Sequence, residues 1–168
     1  MTNIEITLTN DKKMRFALDE KNAPLSTENF LALIDQNFFD GLCFHRVIDG
    51  FMIQGGGFKW DNGLKAKQSP FKAIKGEFSS NGVNNPLVHK EGAISMARTM
   101  VKDSATSQFF ICVNDTPYLD GEYACFGYAL DDESIKVAKE IGKVKTTSWS
   151  YYDDVPVEPI IIKSIKRI

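Results

Sequence analysis

Polar and apolar residues alternate from the first few positions, with Ile4, Ile6 and Leu8 on one face and Glu5, Thr7 and Thr9 on the other. That is the two-residue period of a half-buried strand. The pattern returns at Met14, Phe16 and Leu18 after the polar stretch Asn10-Asp11-Lys12, so the spacing predicts a β-hairpin with one buried face. The period then lengthens. Pro24 suits the first turn of a helix, and Phe30, Leu33, Ile34 and Phe38 fall on one helical stripe, which predicts a helix over about 24–37.

Two apolar-rich strand candidates follow between Leu42 and Ile53, divided at Asp49-Gly50, and Gly55-Gly56-Gly57 is expected to stop the second. Residues 57–92 are rich in Gly, Asn, Ser and Lys and read mostly as long loops. Short strands are expected at 93–97, 108–113 and 125–129, and a closing one over 159–168 whose facing the pattern does not fix. Asp131-Asp132 provides a cap for a second helix, with Ile135, Ala138 and Ile141 inward and Gly142 as its stop. About eight short strands and two helices fit a mainly β fold, an antiparallel barrel capped by the helices, and leave a sandwich open.

The 168 residues have the size of one domain, and 1–168 is read as such. A hydrophobic content of 43% and a charged content of 25% argue against disorder and against a membrane-spanning chain. The formal net charge of -2 offers no broad positive field, so nucleic acid and anionic lipid are not expected partners. No basic and apolar leader precedes the first strand, which points to the cytoplasm. Cys43, Cys112 and Cys125 are an odd, scattered set without a CxxC pair, read as buried thiols.

Only two histidines occur, His45 and His89, and neither has a partner at metal spacing, which leaves little material for a zinc site or a Ser-His-Asp triad. The glycine run is followed by Phe58-Lys59-Trp60, not by the Gly-Lys-Ser/Thr of a phosphate loop. More informative is what alternation gathers on the face opposite the core. Arg46 alternates with His45 and Val47, Met52 shares a face with Gln54, and Gln108 shares one with Phe110. One cation, two amides and two soft apolar groups can thus line a single groove, although each residue taken singly has an ordinary surface or core reading.

The run Phe44-His45-Arg46-Val47-Ile48-Asp49-Gly50-Phe51-Met52-Ile53-Gln54-Gly55-Gly56 closely resembles the signature of cyclophilin-type peptidyl-prolyl isomerases. Ala23-Pro24 leading to Glu28-Asn29-Phe30, Ser95-Met96-Ala97-Arg98-Thr99, Ser107-Gln108-Phe109-Phe110-Ile111 and Tyr118-Leu119-Asp120-Gly121 before Phe126-Gly127 extend the resemblance over nearly the whole chain. It is most like the compact bacterial members. The resemblance implies a closed eight-stranded antiparallel barrel with two capping helices, acting on Xaa-Pro peptide bonds and assisting protein folding. Arg46 and Gln54 are the implied catalytic residues. Phe51, Met52, Phe110 and Leu119 would form a cup for the proline ring, Arg98, Thr99 and Gln108 would hold the residues before proline, and Tyr118 and Tyr123 would form the far rim.

Rotation about the peptide bond faces a barrier of about 18–20 kcal/mol because amide resonance is broken at the twisted midpoint. There the proline nitrogen becomes pyramidal and its lone pair accepts a hydrogen bond that the planar ground state cannot, so a donor aimed at it favours the transition state selectively. A guanidinium, always protonated and carrying donors in a fixed fork, suits the task. The chemistry needs no nucleophile, proton shuttle, metal or cofactor. The implied partners are proline-containing peptides and unfolded or partly folded proteins, met by a monomer. Cyclosporin-type ligands are expected to bind more weakly, since Tyr118 and Tyr123 stand where many eukaryotic relatives carry tryptophan and histidine. His45 is expected to alternate to the far side of Arg46 in a structural role. Two other readings stay open: a chaperone or adaptor that binds proline segments with incidental turnover, and a barrel storing a hydrophobic ligand. The inward Ile, Leu and Phe positions speak against the second.

Overall fold

The computed structural model describes residues 1–168. The elements are β1 (Thr2–Leu8), β2 (Lys13–Leu18), α1 (Pro24–Asp35), β3 (Leu42–Ile48), β4 (Met52–Trp60), β5 (Leu64–Ala66), β6 (Ala93–Met96), β7 (Phe109–Cys112), β8 (Cys125–Ala129), α2 (Asp132–Gly142), β9 (Thr146–Trp149), β10 (Tyr152–Pro156) and β11 (Ile162–Arg167). Eight strands pair antiparallel in the order β11-β1-β2-β8-β6-β7-β4-β3. The two end strands nearly meet, because the Gly41 amide donates to Ile162 at 2.8 Å and the Phe44 amide to Ile160 at 3.0 Å. The result is a mainly β, nearly closed eight-stranded barrel with two helices, which leaves few unpaired strand groups.

Alternation translates directly into burial: Ile4, Ile6 and Leu8 of β1 and Met14, Phe16 and Leu18 of β2 all point into the core. Phe30, Leu33 and Ile34 of α1 and Val137, Ala138 and Ile141 of α2 join the same cluster. The Phe30 ring lies 4.8 Å from Phe39, 5.2 Å from Phe109 and 5.2 Å from Phe126. Each fully buried ring contributes about 1.5–3 kcal/mol, and together they fill the interior that a ligand-storing barrel would keep hollow.

α1 starts at Ala23-Pro24, where no side chain of its own caps it. The buried Glu77 carboxylate, reaching in from the long loop, accepts from the Leu25 amide at 3.1 Å and the Ser26 amide at 2.6 Å. A negative charge on free N-terminal amides is favourable both as a hydrogen-bond acceptor and against the helix dipole. At α2 the expected cap is present, with Asp131 accepting from the Ser134 amide at 2.8 Å.

Three expectations need correction, and one hairpin was not anticipated. The glycines do not stop β4, which runs on to Trp60; a Cβ on Gly56 would stand 2.7 Å from the Ser107 carbonyl oxygen, so glycine permits two strands to approach rather than ending one. The α2 stripe is Val137, Ala138 and Ile141, while Ile135 is half-buried over Gly92. The closing strand begins only at Ile162. The β9–β10 hairpin, unmarked by any clear alternation, covers the outside of the barrel through a satellite core of Cys43, Phe58, Leu64 and Val155. No helix is long and apolar enough to cross a membrane.

Candidate active site

The site begins with an irregularity. Arg46 of β3 faces Gln54 of β4, but Phe44 faces Gly55, so two steps along β3 match one along β4. His45 is the extra residue of a β-bulge. Phe44 and Val47 keep their places in the core, while His45 and Arg46 both face the same outer cavity. This overturns the expectation that His45 points away from Arg46: strict alternation fails where the ladder slips by one residue. The His45 ring is 5% exposed and lies 4.6 Å from Phe58, and its Nδ1 has no hydrogen-bond partner. Burial, and after it the neighbouring Arg46 charge, pushes the imidazole down to about 4, so it is neutral near pH 7.

The cavity holds about 440 Å³. Its apolar wall comes from neighbouring strands, with Met52 and Gln54 on one face of β4 and Phe110 directly opposite Gln54 on β7. Leu119 and Tyr123, from the segment before β8, complete the cup, and Tyr123 meets Phe110 edge-on at 5.7 Å. Phe51, in the turn before β4, stacks with Tyr118 at 6.1 Å.

Polar groups form a relay along one side. Arg46 Nη1 donates to Gln54 Oε1 at 3.4 Å, and Gln54 Nε2 donates to Gln108 Oε1 at 3.0 Å. The Gln108 side chain lies against Gly57, where a Cβ would come within 2.5 Å of its Cγ. Arg46 is exposed and holds only this one long side-chain bond, which leaves most of its fork available. Arg98 is committed: its guanidinium donates to the Glu122 carbonyl at 3.2 and 2.6 Å and to the Thr99 carbonyl at 2.9 Å. It lies over the Phe78 and Tyr123 rings at 4.9 and 4.6 Å.

Beneath the cup, a buried relay fixes its floor. His89 Nδ1 contacts Asp120 Oδ1 at 2.8 Å, and Nε2 contacts Ser95 Oγ at 2.9 Å. A carboxylate only accepts, so Nδ1 carries the proton and the neutral ring accepts from Ser95. The imidazole lies nearly parallel to Phe110, with centroids 5.9 Å apart and planes at 14°. Burial lowers the His89 pKa, and the Asp120 hydrogen bond and charge only partly offset this. The sequence offered no spacing for a Ser-His-Asp arrangement, yet the fold assembles one from three separate segments. Ser95 is 0% exposed behind Phe110, so the hydroxyl serves as a prop and has no path to a substrate.

Of the expected site residues, Arg46, Gln54, Phe51, Met52, Arg98, Gln108, Phe110, Leu119 and Tyr123 line this one cavity. Tyr118 stands on the rim, 67% exposed. Thr99 lies off the wall, its amide and hydroxyl both turned to Ser104 Oγ at 2.9 Å. His45, Phe58, Ala97 and Tyr152 line the cavity without having been singled out for it; the first needed the bulge, and Tyr152 comes from the hairpin that the pattern did not predict. A larger cavity of about 520 Å³ lies among the β1–β2 turn, α2 and residues 157–161. It contains none of these groups, and its lining Lys12 and Glu140 already pair at 2.5 Å.

A family model described as cyclophilin type peptidyl-prolyl cis-trans isomerase/CLD matches residues 3–167. The chain is 44% identical over 163 residues to peptidyl-prolyl cis-trans isomerase A of Dickeya dadantii, covering 95% of this chain and 82% of that one. It is 39% identical over 155 residues to peptidyl-prolyl cis-trans isomerase B of Escherichia coli, covering 88% of each. A cyclophilin-type isomerase from Cryptosporidium parvum superposes with a TM-score of 0.77 at 25% identity, over 99% of this chain and 97% of that one. The same protein crystallised in the presence of the dipeptide Ala-Pro superposes with a TM-score of 0.76 at 25% identity, over 99% of this chain and 98% of that one.

Proposed function

Because the chain belongs to the cyclophilin-type peptidyl-prolyl cis-trans isomerase family and so catalyses rotation about Xaa-Pro bonds, we propose that Arg46 is its catalytic residue and Gln54 its immediate support. Phe51, Met52, Phe110, Leu119 and Tyr123 hold the proline ring, whose burial fixes one side of the rotating bond while the other side turns. Gln108, together with the main chain at Arg98, holds the residues before proline, with Thr99 nearby, and Tyr118 closes the rim. The observation that carries this reading is the Arg46 fork, standing beside the apolar cup and bonded at 3.4 Å to Gln54, which Gln108 holds in turn at 3.0 Å. A guanidinium so placed donates to the proline nitrogen only when that nitrogen is pyramidal. An acceleration of roughly 10⁴–10⁵ requires about 5–7 kcal/mol, within the range of a few oriented charged hydrogen bonds in a partly dry groove.

The same reading makes the 168 residues one cytoplasmic, monomeric domain acting on unfolded or partly folded proteins, with no nucleic-acid or membrane partner. The net charge of -2 supports the last point. The exposed phenol of Tyr118 at the rim supports weakened cyclosporin-type binding, since it presents less apolar area than an indole and no ring N–H.

The test is NMR exchange spectroscopy on an Xaa-Pro peptide with the parent and with Arg46→Ala. A charged hydrogen bond is worth about 1.5–3 kcal/mol, so kcat/KM should fall by roughly 10–150-fold, with kcat falling equally and KM little changed. Equal rates in parent and variant would remove the guanidinium from the mechanism.

A further inference from the structure

Beyond Arg46 the cavity wall continues where none of the assigned groups reaches. The His45 ring meets Phe58 at 4.6 Å, and Phe58 meets Tyr152 of the β9–β10 hairpin at 5.2 Å with planes at 69°. All three line the same cavity as Arg46.

The hairpin that carries Tyr152 is firmly seated. Tyr152 pairs with Trp149 across the two strands, so both side chains face the barrel. Trp149 in turn lies edge-on to Trp60 at 6.1 Å. A Cβ on Gly63 would come within 2.3 Å of the Trp149 ring, so the indole sits directly on bare backbone. Tyr152 is therefore held in place before any substrate arrives, yet 38% of it is exposed. A fixed, half-open aromatic contiguous with a binding groove offers contact area at little further entropic cost.

We propose that Phe58 and Tyr152 form a specificity subsite that takes a large apolar or aromatic side chain on the residue following proline. The assignment deepens the function proposed above and rests on it: with the residues before proline held at the Arg98 end, the chain leaving the cup passes Arg46 and reaches this shelf within one or two extended residues. The buried His45 lies between Arg46 and Phe58, so the shelf itself is walled by uncharged rings, which favours an apolar occupant.

The experiment compares kcat/KM by NMR exchange spectroscopy for Ala-Ala-Pro-Phe and Ala-Ala-Pro-Gly, using the parent, Tyr152→Ser, Tyr152→Phe and Tyr151→Ser. An aromatic edge contact corresponds to roughly two- to twelvefold in affinity. The parent should prefer the Phe peptide by about that factor, Tyr152→Ser should lose most of the preference, and Tyr152→Phe should keep it. Tyr151 is 99% exposed at the hairpin tip, so Tyr151→Ser should leave both rates unchanged. A parent indifferent to the residue after proline, or a Tyr152→Ser variant with the parent's preference, would overturn the subsite. Titrating ¹⁵N-labelled parent with each peptide provides a readout independent of turnover: the Phe peptide should shift the Phe58 and Tyr152 amides more than the Gly peptide does, and equal shifts would overturn the assignment. A parent that turned over neither peptide would count against the catalytic reading, while the amide shifts would still decide the subsite.

Discussion

His45 makes the stability of the molecule sensitive to acid. Its ring is buried between Arg46 and Phe58, and its folded-state pKa is lowered from 6.5 to about 4, first by burial and then by the Arg46 charge. In the unfolded chain the same imidazole accepts a proton near pH 6.5. Between those values the unfolded state binds more protons than the folded one, so stability is fully present above pH 6.5 and is lost progressively down to about pH 4. At about 1.36 kcal/mol per pH unit, the loss from this group is about 3 kcal/mol. Replacing it by a neutral amide in His45→Gln removes the titration. Urea unfolding followed from pH 7.5 to 4 should therefore give the variant a shallower decline, the parent losing about 3 kcal/mol more than the variant over that range whatever their offset at neutral pH. The carboxylates depressed by hydrogen bonds, such as Asp131, also titrate at low pH, but they do so in both proteins and cancel in the difference. A parent imidazole titrating near 6.5 by NMR, or parallel stability curves, would show that the bulge does not bury this ring.

Three further outcomes follow from the geometry. Glu77→Ala strips the buried start of α1 of its acceptor and leaves the Leu25 and Ser26 amides unpartnered; urea unfolding should show a loss of about 2–4 kcal/mol, and a loss under about 0.5 kcal/mol would mean the cap is dispensable. Gly57→Ala places a methyl within 2.5 Å of Gln108 on backbone that is not left-handed, so the amide should swing away and break its bond to Gln54. The expected result is a fall in kcat/KM of roughly two- to twelvefold with an unchanged melting temperature, and unchanged turnover would disconnect Gln108 from Arg46. Burial pushes the Cys43 and Cys112 thiols up to about 11 and Cys125 to about 12, so alkylation at pH 8 should be slow in the native protein and label all three in denaturant; rapid native labelling would contradict their burial.

The local periods, and what depends on them, are legible in the order of the residues alone. β1, β2 and α1 follow from spacing because each buries one face against a common core, and period then dictates which residues go inside. The long motif from Phe44 to Gly56 also carried the arginine proposed as catalytic, its glutamine and part of the cup, since those residues lie on two adjacent strands joined by a short turn. The rest arises from packing between distant segments. His45 turned toward the groove because a bulge, set by pairing with β4, broke alternation at a single residue. The glycines of β4 and the Glu77 cap answer to chains that approach from far away in sequence. The Ser95-His89-Asp120 relay and the Tyr152 shelf join residues that no spacing relates, because contacts across a closed barrel depend on how its strands are ordered in space and not on their separation along the chain.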